Sequence, residues 1–330
     1  TSVTAQNTVG VQREFDLPEE VVAQQIESVL SDIGAEAIKI GMLANAGIVK
    51  TVADTLKSYQ NIPLVVDPVM VAKSGNVLLA SEAVTTLIDT LFPMATVITP
   101  NLDEAATLTG IKATDVEGMQ VIARKLFDMG PQYVVVKGGH LEGAAVDVLF
   151  DGITFDTFES DRIDTPNTHG TGCTFASAIA AELAKGLDVK TAVGEAKAYV
   201  TDAIRYADPI GNGHGPVNHF HSLYREVEKR NVLDQLTAAV RRLEEAHAGA
   251  LIPEVQSNLG MGLIRAKTFD DVAAFPGRLI RLHRDIRSVA PPEFAASTHV
   301  AKIVLTAMRH DPDKRAVLNI KYDEEMLAAC

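Results

Sequence analysis

The chain has 330 residues, 47% of them hydrophobic and 22% charged, and it carries a formal net charge of −13. This composition is typical of a globular protein of about two domains, and it excludes a disordered chain, a collagen and a disulfide scaffold. No run approaches the roughly 18 uninterrupted apolar residues of a membrane span, so we expect no membrane partner. The acidic excess lies in residues 1–225, since residues 226–330 are electrically balanced, and it argues against nucleic acid as a partner there.

Short aliphatic runs alternate with amphipathic stretches between residues 37 and 205. The runs are rich in β-branched residues and are followed by Gly, Pro or Asn, which predicts buried strands at 37–42, 63–67, 96–99 and 133–137. The stretches between them predict helices at 44–59, 81–90, 101–109 and 116–129. This alternation indicates an α/β domain whose mostly parallel sheet is covered by helices on both faces, with ligands at the carboxyl ends of the strands.

A hairpin and two longer helices follow the fourth strand. The hairpin strands are predicted at 146–150 and 153–158, with Asp151-Gly152 as the turn signal. The helical patterns that come next cover residues 174–185 and 189–207.

A change of pattern marks the domain boundary. Residues 208–222 are rich in Gly, Pro and His and have no regular period, so they indicate a connection. We therefore expect a first domain at 1–222 and a second, smaller α/β domain at 223–330. The second domain is predicted to contain two helices, 224–247 and 299–308, and mixed loop and strand segments at 253–261, 275–281 and 317–320.

The strongest chemical signal is the motif Gly170-Thr171-Gly172-Cys173 at the start of a helix. The glycines let the backbone approach a ligand closely, and a helix N-terminus presents N–H groups and partial positive charge. The motif therefore predicts an anion hole for a transferring phosphoryl group. The same field is expected to lower the pKa of Cys173 from its free value of about 8.5, so that the thiolate can accept a proton from a substrate hydroxyl. The alternative is a glycine-rich turn beside a structural cysteine.

Polar residues follow three of the predicted strands. Asn101 and Glu104 lie three positions apart at a helix start, where both can face one site. Glu104 can bind a metal and Asn101 a phosphate or metal-bound water, and the alternative for both is a helix cap with a first-turn acid. Lys137 precedes two glycines at a strand end and can reach a phosphate. Asp67 ends another strand and is the second candidate metal ligand.

Together these motifs resemble the hydroxymethylpyrimidine/phosphomethylpyrimidine kinases of thiamine synthesis. The resemblance covers residues 1–220 and implies a ribokinase-like fold, ATP as phosphoryl donor and Mg²⁺. It places Asn101, Lys137 and the Gly170–Cys173 motif at the ATP phosphates, with Mg²⁺ near Glu104. The similar segments are 1–8, 67–70, 99–105, 137–140 and 170–175.

The resemblance also implies a substrate pocket. Gln6 is expected to contact the aminopyrimidine, and Met42 and Val69 to line the pocket. The family phosphorylates hydroxymethylpyrimidine twice, first to the monophosphate and then to the diphosphate. Many ribokinase-like enzymes have an Asp where this chain has Cys173, so the cysteine favours the vitamin-kinase branch over sugar kinases.

Other properties of the chain follow from the same resemblance. The family begins with a strand and a Gly/Ser-rich loop whose Asp contacts the pyrimidine, and the chain opens after that stretch, so we expect it to be truncated there. Kinases of this branch are often dimers, which makes a homodimer a candidate assembly. The chain has two cysteines, too few for a disulfide framework, which favours a cytoplasmic location.

The second domain carries a basic run and an isolated histidine. The run from Arg278 to Arg287 holds four arginines, which predicts either a solvated strand or a pocket for a multiply charged phosphate. His299 lies near a helix start, where a capping-turn role is the alternative. The segments 253–258, 271–278, 297–301 and 319–322 resemble the ThiN-type thiamine-phosphate synthase domain.

This second resemblance implies that the domain joins hydroxymethylpyrimidine diphosphate to thiazole phosphate and expels pyrophosphate. Arg278 and His299 fall on its two catalytic positions, where a cation and an imidazole stabilise the charge of the leaving group. The chain has Ala295 where the family often has glycine. The family domain continues past Cys330, so we expect the end of this fold to be absent as well.

The leading interpretation is a bifunctional enzyme of thiamine synthesis that acts on small molecules. One alternative keeps the kinase and makes the second domain a thiamine-phosphate sensor without chemistry. Another is a pyridoxal-type or sugar kinase with an unrelated tail.

Overall fold

The computed structural model consists of two compact units, Thr1–His219 (the front unit) and Phe220–Cys330 (the rear unit). Residues 140, 253–256, 321 and 322 of the segments singled out from the sequence lie outside the described residues, as does Cys330. The structure describes residues 1–70, 81–139, 141, 143–252 and 257–320.

The front unit contains most of the elements that the sequence pattern predicts. Strands and helices between 37 and 205 are confirmed to within a few residues at their ends, although the helix Thr171–Ala184 begins three residues earlier than predicted. The pattern missed the strand Val11–Asp16 and the helix Glu19–Asp32. In chain order the elements are β1 (Ser2–Gln6), β2 (Val11–Asp16), α1 (Glu19–Asp32), β3 (Ile38–Ile40), α2 (Ala46–Leu56), β4 (Leu64–Val66), α3 (Ser81–Thr90), β5 (Val97–Ile98), α4 (Leu102–Thr109), α5 (Val116–Phe127), β6 (Tyr133–Gly138), β7 (Ala145–Phe150), β8 (Phe155–Ser160), α6 (Thr171–Ala184) and α7 (Val189–Arg205).

Strands β3 to β8 form a six-stranded sheet in the order of the chain. The first four strands are parallel and the last two antiparallel, which confirms the mostly parallel sheet. Because side chains alternate along a strand, the two faces of the sheet have separate cores. Val66 and Ile98 pack in the core that includes residues of α1 to α5, whereas Val65 and Val97 pack with α6 and α7.

Polar caps fix where several helices begin. Asn45, Asp115 and Asp188 stand at the N-caps of α2, α5 and α7, and each side chain accepts a hydrogen bond from a backbone N–H three residues on. Such caps satisfy N–H groups that have no acceptor within the helix. They therefore fix the residues at which these three helices begin.

Strands β1 and β2 form a separate antiparallel hairpin. Val3 and Phe15 are cross-strand neighbours in it, and 62% and 65% of their surfaces are exposed. Among the described residues, no helix is both long and apolar enough to cross a bilayer.

The rear unit places helices against a small antiparallel sheet. The elements are α8 (His221–Glu245), β9 (Leu259–Gly262), β10 (Val272–Ala274), β11 (Leu279–Leu282), β12 (Asp285–Ser288), β13 (Glu293–Phe294), α9 (Thr298–His310) and β14 (Ala316–Leu318). Strand order in the sheet is β13-β10-β9-β14, and β11 and β12 form a separate hairpin. Ala273 packs in a core with α8, whereas Val272 and Ala274 pack with α9.

Candidate active site

Three polar side chains meet at the carboxyl edge of the front sheet. Asp67 directly follows β4, Thr99 directly follows β5, and Lys137 is the second-last residue of β6. The Lys137 Nζ donates to Asp67 Oδ1 at 2.7 Å, and the Thr99 hydroxyl donates to the same oxygen at 3.1 Å. Asp67 is only 1% exposed, so its charge is balanced inside the protein rather than by water. Lys137, which the sequence predicts to bind phosphate, is therefore already paired with Asp67 in the structure.

The N-terminus of α6 lies beside the Lys137 ammonium. A Cβ added at Gly172 would lie 3.1 Å from Lys137 Nζ, so glycine permits this close approach. Gly170 is the N-cap residue and has a φ of 79°, a left-handed conformation that glycine adopts without strain. The Thr171 hydroxyl donates to the carbonyl of Thr168 at 2.8 Å. The first N–H groups of a helix have no acceptor within it, so they and the ammonium form a positively charged end suited to phosphate.

The charge on Lys137 is secured by its neighbours. Burial acts against the ammonium, but the negative charges of Asp67 and Glu104 outweigh it and raise the pKa of Lys137 above its usual value. The side chain therefore stays protonated throughout the physiological range.

Asn101 and Glu104 form a capping box at the start of α4. The Asn101 side chain accepts from the Glu104 backbone N–H at 2.9 Å, and Glu104 Oε2 accepts from the Asn101 N–H at 2.8 Å. This is the capping alternative that the sequence left open. A parallel β-bridge also joins Asn101 to Lys137, so the box lies at the same edge of the sheet. Burial raises the pKa of Glu104 to about 7, against the opposing effect of the Lys137 charge.

The two buried carboxylates can be tested as ligands for Mg²⁺. Within the described part of the chain, no group of three or more His, Cys, Asp or Glu side chains is arranged to hold a metal ion. The Asp67 charge contributes to the raised pKa of Glu104, so the two carboxylates repel each other and a cation would relieve that repulsion. Mg²⁺ in kinase sites is bound by one or two carboxylates together with substrate phosphates. The donor pair fits a cation held largely by the nucleotide.

Cys173 corrects one prediction from the sequence. The pKa of its thiol is raised above the usual value, not lowered, mainly because surrounding protein excludes water although the residue retains exposed surface. The positive charges of Lys39 and Lys137 lower this pKa, and the negative charge of Asp67 raises it. Burial and the Asp67 carboxylate outweigh the positive charges near the thiol, and the sequence alone does not reveal that this carboxylate lies close by.

The three predicted substrate-pocket residues lie on different segments. Gln6 is exposed at the end of β1, and its Nε2 lies 3.5 Å from Nε2 of His169, the residue before Gly170. Met42 is half-buried after β3. Val69 is half-buried, and its N–H donates to the Asp67 carbonyl at 2.8 Å. Gln6 is thus brought towards α6, and Val69 lies next to the Asp67–Lys137 pair.

The two predicted catalytic residues of the rear unit are both exposed. Arg278 lies in the turn between β10 and β11 and has a φ of 64°. His299 is in the first turn of α9, whose N-cap Ser297 accepts from the Val300 N–H. The basic run is a hairpin rather than a single strand, because a tight turn with His283 at a φ of 59° joins β11 to β12.

Comparison with known families agrees with this architecture. The family described as phosphomethylpyrimidine kinase matches residues 1–218. The chain belongs to this family. The family described as thiamine-phosphate synthase ThiN matches residues 235–330, so the rear unit contains a ThiN domain. The predicted enzyme classes, a phosphomethylpyrimidine kinase and a thiamine-phosphate synthase, are confirmed at the level of these domains.

Two relatives show how much of this chain is similar to known proteins. A hydroxymethylpyrimidine/phosphomethylpyrimidine kinase of Streptomyces coelicolor is 50% identical over 219 residues, which are 66% of this chain and 81% of the relative. The thiamine biosynthesis bifunctional protein ThiED of Geobacter sulfurreducens is 50% identical over 220 residues, again 66% of this chain. The matched region spans only 45% of the Geobacter protein.

Solved structures confirm the ribokinase-like fold of the kinase domain. An ADP complex of Bacillus subtilis pyridoxal kinase is 39% identical with a TM-score of 0.62, and the match covers 68% of this chain and 84% of that one. A phosphomethylpyrimidine kinase of Clostridium difficile is 43% identical with a TM-score of 0.55, over 62% of this chain and 84% of that one.

Some residues of the kinase site were not singled out from the sequence. Lys39 lies in β3, and a Cβ added at Gly41 would be 2.5 Å from its Nζ, so the ammonium lies at the carboxyl end of that strand. A lysine inside an otherwise buried apolar run is the signal that could have identified it. Asp147 and Lys197 form a buried ion pair beside β6 that spacing alone does not reveal.

Proposed function

We propose that the kinase domain transfers a phosphoryl group from ATP to 4-amino-5-hydroxymethyl-2-methylpyrimidine and then to its monophosphate, which yields the diphosphate. The observation that carries this proposal is the Lys137 ammonium beside the N-terminus of α6, at the carboxyl edge of a mostly parallel sheet. Ligands of open α/β sheets bind at that edge. Phosphoryl transfer depends mainly on positioning and charge neutralisation, and this arrangement supplies both.

The ATP phosphates are assigned to five residues. Lys137 acts as a point charge, and the backbone of Gly170, Thr171 and Gly172 supplies N–H donors. Asn101 lies beside Lys137 at the same sheet edge and is placed at the phosphates as well.

Asp67 and Glu104 are the residues that would hold Mg²⁺ together with the nucleotide. The cation supplies neutralisation of charge on the phosphate oxygens. Burial raises the pKa of Glu104 to about 7, and the positive charge of a bound cation would oppose this effect and favour the carboxylate.

Cys173 is proposed as the base for the first phosphoryl transfer only. The first acceptor is a hydroxyl, which must lose its proton as the new P–O bond forms, and a thiolate at the start of α6 can accept it. The second acceptor is a phosphate that is already an anion, so the second transfer needs no base. The raised pKa of the thiol makes the thiolate a minor species at neutral pH.

Three further residues are proposed to select the pyrimidine. The Gln6 amide can both donate to and accept from an aminopyrimidine edge, and it lies close to His169 at the start of α6. Met42 and Val69 are half-buried apolar side chains suited to the faces of the ring.

The ThiN domain is proposed to consume the diphosphate. Coupling breaks the bond between the pyrimidine methylene carbon and the diphosphate oxygen, and it forms a bond from that carbon to the thiazole nitrogen of thiazole phosphate. Pyrophosphate leaves with the electron pair. The Arg278 guanidinium and the His299 imidazole are suited to stabilising its charge.

Phosphorus NMR of the purified chain tests both activities in one sample. Hydroxymethylpyrimidine, ATP and Mg²⁺ should give the monophosphate and then diphosphate resonances. Added thiazole phosphate should then give thiamine phosphate and pyrophosphate. Accumulation of diphosphate that thiazole phosphate does not consume would favour the sensor interpretation of the ThiN domain.

Pyridoxal is a second candidate substrate for the kinase domain. Its support is the similarity to pyridoxal kinases, including one of Staphylococcus aureus solved in complex with AMP-PCP and pyridoxal at 37% identity and a TM-score of 0.61. Pyridoxal offers a hydroxymethyl group on an aromatic nitrogen ring, as the pyrimidine does. The same NMR assay with pyridoxal, alone and in competition, ranks the two acceptors by kcat/KM.

A homodimer and a cytoplasmic location complete the proposal. The β1–β2 hairpin exposes Val3 and Phe15 side by side, and apolar pairs of this kind on a strand ribbon are suited to contact with a second copy. Sedimentation of the chain and of Phe15→Ser tests the assembly, since the variant should shift towards monomer. The small number of cysteines and the use of ATP support the location.

A further inference from the structure

Lys137 has a carboxylate on each side along the same face of the sheet. Asp67, two strands away, forms the ion pair already described. On the other side, the antiparallel register of β6 and β7 places Lys137 directly opposite Asp147. Opposite residues share a face, with Cβ atoms about 5 Å apart. Both carboxylates are buried, so Lys137 has two possible anionic partners that lie in opposite directions.

Asp147 is occupied by other donors. Lys197 of α7 donates from Nζ to Asp147 Oδ2 at 2.7 Å and to the Ala145 carbonyl at 2.9 Å. The remaining oxygen, Oδ1, accepts the backbone N–H of Gly138 at 3.0 Å. The side chains of Lys197 and Asp147 are 13% and 7% exposed. The Asp147 charge is therefore neutralised inside the protein, and both of its oxygens are engaged.

A buried ion pair is poorly explained by stability alone. Desolvation of two charges offsets much of their attraction, and apolar residues of similar size often stabilise a fold as well. Its effect on neighbouring charges is a stronger reason for its presence, because a buried carboxylate that lacks its cation attracts any ammonium within reach. Here the ammonium within reach is that of Lys137.

We propose that Lys197 is a positioning residue for phosphoryl transfer. By neutralising Asp147, it leaves the Lys137 ammonium paired with Asp67 and next to Gly172 at the start of α6. The Asp147 bond to the Gly138 N–H holds the end of β6 in the same arrangement. This role rests on the proposed binding of ATP phosphates by Lys137.

The test compares Lys197→Met with two matched variants of the purified chain. In Lys197→Met we expect the KM for ATP to rise at least about tenfold and kcat to fall, because the Lys137 ammonium can then pair with either Asp67 or Asp147. Lys197→Arg keeps the charge and should remain close to the unmodified chain. Lys197→Met combined with Asp147→Asn removes the competing charge and should bring the KM for ATP back to within about threefold.

Assays are run below the unfolding temperature of every variant, and ATP affinity is also measured by calorimetry. A purely structural role of the ion pair would lower the unfolding temperature and leave the KM and ATP affinity of the folded protein unchanged, which would overturn the proposal. A double variant as impaired as Lys197→Met would overturn it too. Failure of the proposed function is distinguishable, since the unmodified chain would then bind ATP without phosphorylating either pyrimidine acceptor.

Discussion

The two candidate sites hold their charges in different ways. In the kinase domain, the buried Asp67 is paired at 2.7 Å with Lys137, whose side chain is 14% exposed, at one edge of the sheet. In the ThiN domain, Arg278 and His299 are exposed on a turn and at a helix start. The buried pair is oriented by the protein before the substrate arrives, whereas the exposed side chains lie in contact with water, which screens their charges.

The two sites should respond differently to substitution of their charged residues. In the kinase domain, substitution of one charged residue should change the position of its charged neighbours, because electrostatic interactions are strong in the low-dielectric interior. In the ThiN domain, exposed charges are screened by water and salt, so substitutions should act on chemistry with little effect on folding.

The largest expected effect separates the two domains. Lys137→Met should reduce phosphoryl transfer by on the order of 10³-fold, because a cation aimed at the transferring group is lost. Supplied with synthetic diphosphate and thiazole phosphate, the same variant should still form thiamine phosphate. Arg278→Ala should behave in the opposite way, keeping the kinase and losing the coupling.

Phosphorus NMR with each half-reaction supplied separately checks this pair of variants. Kinase activity that survives Lys137→Met would remove Lys137 from the phosphate site. Coupling that survives Arg278→Ala would favour the sensor interpretation. Thermal unfolding of each variant separates these outcomes from loss of the fold.

Cys173 sharpens the comparison within the kinase domain. Cys173→Ala should slow the first phosphorylation by about 10²-fold or more and change the second by less than about tenfold, since only the hydroxyl acceptor needs a base. Because the pKa of the thiol is raised, the first rate should increase with pH from 6 to 9, and the second should not rise with it. Initial rates with each acceptor across that range provide the measurement. A pH-dependent first step that persists in Cys173→Ala would assign the base to another group.

The sequence predicted the strands of the sheet because each is a short β-branched run ended by Gly, Pro or Asn. It missed α1, although Val22, Ile26 and Leu30 recur at helical spacing and pack in the core on that face of the sheet. The glycine motif at α6 was found because its chemistry is local. The partner of Lys137 was not, because Asp67 lies 70 positions away and only the fold brings the two together.

A third prediction concerns pH and the stability of the kinase domain. The pKa of Glu104 is raised from 4.5 to about 7, so the folded state favours the protonated acid, and stability present below pH 4.5 is lost as the pH rises through about 7. Glu104→Gln keeps the capping box but has no charge to bury. Above pH 7 it should be more stable than the unmodified chain, by at most about 3 kcal/mol.

Urea unfolding at pH 4.5 and pH 8 measures this difference. The two proteins should be equally stable at the lower pH and diverge at the higher one. Asp103→Asn, an exposed acid in the same helix turn, is the matched control and should show no such divergence. Lower stability of Glu104→Gln at pH 8 would mean that attraction between Glu104 and Lys137 outweighs the burial of the carboxylate.

The smallest expected effect is on the stability of the ThiN domain, and it comes from backbone strain at Ala295 rather than from a charge. Ala295 has a φ of 58°, a left-handed conformation that costs a residue with a Cβ about 1 kcal/mol or more. Ala295→Gly removes this strain but gains freedom in the unfolded chain, so a net stabilisation of about 0.5 kcal/mol is expected. Ala296→Gly, one residue on, is the control of opposite sign, because Ala296 packs against the core that contains α9 and has no positive φ. Chemical unfolding should show Ala295→Gly to be the most stable, the unmodified chain intermediate, and Ala296→Gly the least stable. Equal stability of Ala295→Gly and Ala296→Gly would show that the segment before α9 relaxes, and that His299 is carried by a helix start less fixed than the capped helices of the kinase domain.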